Sequence, residues 1–77
     1  MTITVSLRDL GKGQTATISE ITAEGEMGRR IRDMGLVPGV DVQVMGRAPL
    51  NDPVALRLKG FTLTLRNNEA DYIAVQI

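Results

Sequence analysis

Residues 54–65 constrain the fold of this chain more tightly than any other stretch. Val54, Leu56 and Leu58 alternate with Ala55 and Arg57 up to Lys59-Gly60, and Phe61, Leu63 and Leu65 alternate with Thr62 and Thr64 after it. Period-two alternation is the mark of a strand with one buried face. Two such runs joined by two residues are the mark of a β-hairpin. A loop at Lys59-Gly60 pairs Leu58 with Phe61, Leu56 with Leu63 and Val54 with Leu65, and sets Arg57 opposite Thr62 outside. All six apolar side chains, Phe61 among them, are then expected to face inward. A slip of one residue would turn the whole row into water, so the register is strongly specified.

The same one-sided pattern recurs along the chain. Val40, Val42 and Val44 alternate with Asp41 and Gln43. Ala16 and Ile18 alternate with Thr15, Thr17 and Ser19 in a strand predicted over 14–21, whose phase breaks at Glu20-Ile21, where a bulge or bend is expected. Ile3 and Val5 read as a short first strand, and Ile73, Val75 and Ile77 as a closing one. Ser6 to Gly11 reads as one helical turn, with Ser6 as cap, Asp9 three residues on as in a capping box, and Gly11 in the left-handed conformation as its stop. Residues 25–34 form one long helix: Met27, Ile31 and Met34 fall at i, i+4 and i+7 on a single stripe. Arg29, Arg32 and Asp33 lie away from that stripe and Arg30 sits at its margin. Gly35 is the cap, and Pro38-Gly39 follow as a turn. Asn67 to Asp71 make a short turn or helical turn.

Five to six short strands with one inserted α-helix make a mainly β domain. A sheet this small hides one apolar face most economically by curling into a barrel. The 77 residues suffice for a single domain, 1–77, with no linker, repeat or low-complexity segment. The chain has no cysteine, so disulfides do not staple it. Its first residues lack the charged start and apolar run of a signal peptide. No apolar stretch approaches the ~18 residues that span a bilayer. A soluble, cytoplasmic protein without membrane insertion is expected.

The residue inventory argues against an enzyme. A serine nucleophile needs a base, and histidine is absent. Ser6 and Ser19 are explained as a helix cap and an outward strand position. Ferrous iron and zinc favour His and Cys ligands, and neither residue occurs. Glu24 with Glu26, and Glu69 with Asp71, read as solvated acids near helix ends. No metal site and no cofactor is therefore expected. Lys+Arg and Asp+Glu number 9 each, and the chain has one Phe, one Tyr and no Trp. That balance gives no global attraction to nucleic acid, and offers few rings on which bases could stack. Arg57, Lys59 and Arg66 on the outer face of the hairpin region keep a small-barrel nucleic-acid-binding or regulatory module as the alternative. Met27, Met34 and Met45 are assigned to packing.

Three segments carry a family resemblance: Arg29-Arg30-Ile31-Arg32-Asp33-Met34-Gly35-Leu36-Val37-Pro38-Gly39, Ala48-Pro49-Leu50-Asn51-Asp52-Pro53, and Leu65-Arg66-Asn67-Asn68-Glu69-Ala70. In them the chain resembles the FeoA family, small cytosolic accessory proteins of bacterial ferrous iron uptake. The likeness covers nearly the whole chain. It implies an SH3-like barrel and a non-enzymatic role, supporting Fe(II) uptake by contact with the cytosolic face of the FeoB transporter, which carries a GTP-binding domain. FeoA-like domains also occur as C-terminal modules of iron-dependent repressors; a chain starting at Met1 with no DNA-reading helices upstream fits the free-standing accessory better.

Candidate partner contacts are Arg29, Arg30, Arg32, Leu50 and Asn51. The arginines have three readings. They are a solvated helix face suited to the helix dipole, a docking surface for an acidic patch, or an arginine finger for the partner GTPase. Leu50 either folds back on the barrel or serves as an apolar anchor, and Asn51-Asp52 make the turn beside it. With Phe61 placed in the core, the aromatic groove by which SH3 domains grip proline-rich peptides is not expected. Strand addition at an open barrel edge, and weak pairing of free barrels through it, stay open.

Overall fold

Each run of alternation becomes a strand. A computed structural model of the protein describes residues 3–47 and 52–77. The elements are β1 (Thr4–Ser6), a 3-10 turn (Leu7–Asp9), β2 (Thr15–Ile21), α1 (Gly25–Asp33), β3 (Asp41–Arg47), β4 (Val54–Leu58), β5 (Phe61–Leu65), α2 (Asn67–Ala70) and β6 (Ile73–Gln76). The six strands form one antiparallel sheet in the order β1-β6-β2-β3-β4-β5. The sheet curls around one core into a small SH3-like, barrel-like fold that keeps β1 and β5 as its edges.

The hairpin has the register read from the sequence. Val54 pairs with Leu65, Leu56 with Leu63, Leu58 with Phe61, and Arg57 with Thr62 outside. Gly60 supplies the positive φ of the two-residue turn, at 88°. Leu56, Leu65 and Val54 are buried along with Leu7, Ile18, Val44 and Val75. Phe61 corrects the expectation: it is 49% exposed. It is the first residue after the turn, where the sheet's inner layer runs out, and its ring reaches sideways. The Phe61 Cζ lies 3.5 Å from where a Cβ on Gly35 would sit.

Two bulges shape the sheet. Between β2 and β6 the register shifts between Ile18 and Glu20, so Ser19 is the extra residue, one position earlier than the break in the alternation. Its hydroxyl donates to the Ala74 carbonyl at 3.1 Å. Between β3 and β4 the shift falls between Val44 and Gly46, and Met45 is the extra residue. A bulged residue leaves the inward phase; Met45 is accordingly 40% exposed and not part of the packing assigned to it.

Ser6 caps the 3-10 turn as expected, accepting from the Arg8 N–H at 3.2 Å. Gly11 does not end the turn; Leu10 ends it in extended backbone, and the left-handed residue comes later, at Gly13. α1 stops at Asp33, one residue short of the predicted end, with Gly35 at φ 95° just beyond. Ile31 is fully buried, and Met27 and Met34 pack against the core from partly covered positions. Ile77 lies beyond the end of β6 and is 44% exposed, though its main chain still pairs with Ile3. No helix among the described residues is long and apolar enough to cross a membrane.

Candidate partner-contact surface

The stripe that seats α1 fixes what its other side shows. Met27, Ile31 and Met34 face the sheet, so Glu26, Arg29, Arg32 and Asp33 face water. Gly28 is buried against the loop before the helix, where a Cβ would run into the Ala23 carbonyl. That close approach presses the first turn of α1 onto the domain. Arg29 and Arg32 are three residues apart, hence neighbours on the helix surface, and neither makes an ion pair among the described residues. Arg32 stands in the last turn of α1, where the helix dipole favours cations, and Arg29 one turn before it.

Arg30 behaves differently. Its Nη2 lies 3.0 Å from Glu69 Oε2. The expectation of a solvated acid at Glu69 is corrected by the structure: only 5% of the residue is exposed. Its Oε1 accepts from the Arg66 N–H at 3.0 Å, half of a capping box at the start of α2, while Oε2 takes the Arg30 guanidinium. A carboxylate can be buried when charge-assisted hydrogen bonds occupy its oxygens. Arg30 thus ties α1 to α2, and the three-arginine cluster becomes a pair of free cations beside one tethered one. Asp71, the companion of Glu69 in the sequence, is exposed and meets Arg8 Nη1 at 3.0 Å.

Leu50 and Asn51 lie outside the described residues. Phe61, expected in the core, instead brings an aromatic surface beside Gly35, just past the end of α1. The signal that could have found it is its position directly after the turn, at the rim of the sheet. The other ring, Tyr72, is 43% exposed. Both aromatics of the chain are therefore on the surface, although one Phe and one Tyr remain few for an aromatic groove.

Arg57 and Lys59 are exposed on the outer face of β4 and its turn, as expected. They border an open groove of about 870 Å³ with Thr15, Thr17, Asp41 and Gln43. Thr17 Oγ1 donates to Asp41 Oδ1 at 2.6 Å, between paired residues of β2 and β3 that line it. Among the described residues no group of three or more His, Cys, Asp or Glu side chains could hold a metal ion. What the surface offers is contact: cations, a half-exposed ring and strand edges.

Comparison with known proteins agrees with this architecture. The FeoA domain family matches residues 5–77. The chain is 35% identical over 71 residues to the Fe(2+) transport protein A/Fe(2+) transporter FeoB fusion protein of Porphyromonas gingivalis. That alignment takes in 92% of this chain but 8% of the fusion protein, so the chain spans a small fraction of that relative's length. Among solved structures it is similar to a FeoA-like protein from Clostridium acetobutylicum, at 38% identity and a TM-score of 0.92, covering 100% of this chain and 90% of that one. It is also similar to a zinc-complexed FeoA of Stenotrophomonas maltophilia, at 25% identity and a TM-score of 0.72, covering 97% and 88%. That protein is described as an SH3 domain protein and a candidate ferrous iron transport activating factor.

Proposed function

The chain belongs to the FeoA domain family, and from that premise we propose that it is a cytosolic, non-enzymatic accessory protein that supports Fe(II) uptake by contacting the cytosolic part of a FeoB-type transporter. The observation that carries this reading is the fusion of the two modules in the Porphyromonas gingivalis relative. Joining two modules in one chain turns their encounter into an intramolecular event at high effective concentration. A free-standing domain of the same family would reach the same partner by diffusion, and would need a surface to hold it.

The surface we assign is the outer side of α1, with Arg29 and Arg32 as charged anchors and Phe61 as the apolar one. Arginines and aromatics are the side chains most often found at the energetic centres of interfaces. Leu50 and Asn51, which lie outside the described residues, stay in the proposal as candidate contacts. Arg30 has a different part. Reversing its charge would set two carboxylates face to face at Glu69, so an Arg30→Glu variant would test folding before it tested binding. An arginine finger is not part of this reading, because a finger is presented into a partner's nucleotide site and these side chains project from the flank of a helix.

The test is a titration of the purified transporter, and separately of its GTP-binding domain, with the fluorescently labelled chain. Saturable binding to the transporter is expected, with affinity falling about tenfold for Arg29→Glu/Arg32→Glu at unchanged circular dichroism. GTP turnover by the domain is expected to be the same with an arginine-to-alanine series as with the parent chain. Absence of binding to the whole transporter at high micromolar concentration would sink the proposal.

A further inference from the structure

The sheet order ends at β5, whose outer side has no strand beside it among the described residues. The hairpin register shows which peptide groups that edge offers. Residues flanking a two-residue loop exchange both main-chain hydrogen bonds, and bonded pairs then alternate with non-bonded ones. Leu58–Phe61, Leu56–Leu63 and Val54–Leu65 are the bonded pairs. The N–H and C=O groups of Thr62 and Thr64 therefore point away from β4, and neither residue has a main-chain partner outside its hairpin among the described residues. Natural edges are guarded by charged side chains, proline or a covering segment. Phe61-Thr62-Leu63-Thr64-Leu65 contains no charge and no proline, and Thr62 and Thr64 are exposed.

We propose that this edge pairs with the same edge of a second copy of the chain, as an antiparallel ladder about a two-fold axis at Leu63. One register satisfies every outward group. It sets Thr62 opposite Thr64 of the second copy, and Thr64 opposite Thr62, as bonded pairs, so four main-chain hydrogen bonds form. Leu63 then faces its own copy at the centre, and Phe61 faces Leu65. The five facing residues of each copy carry no charge; Arg66 follows β5 and Lys59 sits in the turn, both outside the paired segment. The formal net charge of +0 leaves no long-range repulsion between copies. A strand from an unrelated protein could use the edge in the same way. The second copy is favoured because the two-fold register satisfies every outward group of both edges and both runs are uncharged. The contact spans five residues per copy, well short of the ~800 Å² per partner of a standard interface, so the pair is weak and forms at high concentration.

The experiment combines sedimentation equilibrium with amide hydrogen exchange from micromolar to millimolar protein. The average mass should rise with concentration, and exchange at the Thr62 and Thr64 amides should slow with it, while that at Leu63, already bonded to β4, does not change. Thr64→Pro removes one outward N–H at an edge position that tolerates proline; it should abolish pairing at unchanged circular dichroism. Thr62→Lys/Thr64→Lys should weaken pairing about tenfold, and mixing it with Thr62→Glu/Thr64→Glu should restore or exceed the parent level. A chain still monomeric at millimolar concentration would refute the proposal. So would self-association with protection elsewhere, or a lysine–glutamate mixture that fails to pair. Transporter binding by Thr62→Lys/Thr64→Lys, and pairing by Arg29→Glu/Arg32→Glu, keep this inference separable from the functional one.

Discussion

Arg47 holds together three segments that no strand pairing joins. Its Nη2 donates to the carbonyls of Arg8 at 2.6 Å and Leu10 at 2.9 Å, and its Nη1 donates to Asn67 Oδ1 at 3.1 Å. The planar guanidinium can serve all three at once, whereas a lysine ammonium is a point charge on a flexible stem. Hydrogen bonds to charged groups contribute about 1.5–3 kcal/mol each in favourable cases, less where water reaches them. Arg47→Ala should therefore lower the unfolding free energy by about 2 kcal/mol, and Arg47→Lys should recover less than half of the loss, both read from urea midpoints at constant slope. Gly28 gives a second test at this scale, because two effects compete in sign. Replacing a helical glycine with alanine ordinarily stabilises by about 1 kcal/mol. Here the new methyl would press on the Ala23 main chain, and overpacking against an unyielding neighbour costs about 1–3 kcal/mol. Gly28→Ala should thus destabilise, while Gly11→Ala, with open space and no positive φ, should be neutral or gain up to about 1 kcal/mol; thermal unfolding of the two side by side reads the difference.

Among the elements, the hairpin was the most legible from sequence and shows why the rest was less so. Alternation fixes which face a strand buries, and turn length fixes register, so the β4–β5 pairing follows from residues 54–65 alone. Alternation does not tell where along a strand the core ends. Phe61 keeps its inward phase and still emerges at the rim, half in water. Truncating it should therefore cost less than truncating its neighbour in the same row. Leu56→Ala should lose about 2–5 kcal/mol and Phe61→Ala about 1 kcal/mol or less, against a usual 3–5 for a buried ring. Comparable losses in chemical denaturation would mean that Phe61 is packed after all. Bulges were half legible: the phase break near Ile21 announced one, displaced by a residue, whereas the smooth run of Val40, Val42 and Val44 gave no warning of Met45. At the candidate surface, the exposure of Arg29 and Arg32 follows from helical spacing. The Arg30–Glu69 pair does not, because its members are 39 residues apart and only the packing of α2 against the domain brings them together.

At the scale of the whole molecule, charge balance decides how a partner is met. A protein with formal net charge +0 projects little field beyond a Debye length, so encounter with its partner is not steered over long distances. Local cations at Arg29 and Arg32 act only after contact. Raising salt from 50 to 500 mM should accordingly weaken transporter binding only several-fold, with the change mostly in the dissociation rate. Binding through phosphate contacts behaves otherwise: neutralising even four phosphates would lower affinity by about three orders of magnitude over that tenfold range of salt. The comparison also decides between the proposed role and a nucleic-acid-binding barrel built on Arg57, Lys59 and Arg66, whose exposure alone cannot separate them. Surface plasmon resonance with immobilised transporter and with a mixed-sequence oligonucleotide, run in one salt series, makes it directly. A shallow slope for the transporter and no saturable signal for the oligonucleotide is the expected result. A steep slope for the oligonucleotide, abolished by Arg57→Ala/Lys59→Ala/Arg66→Ala and indifferent to Arg29→Glu/Arg32→Glu, would move the functional surface from the helix to the hairpin.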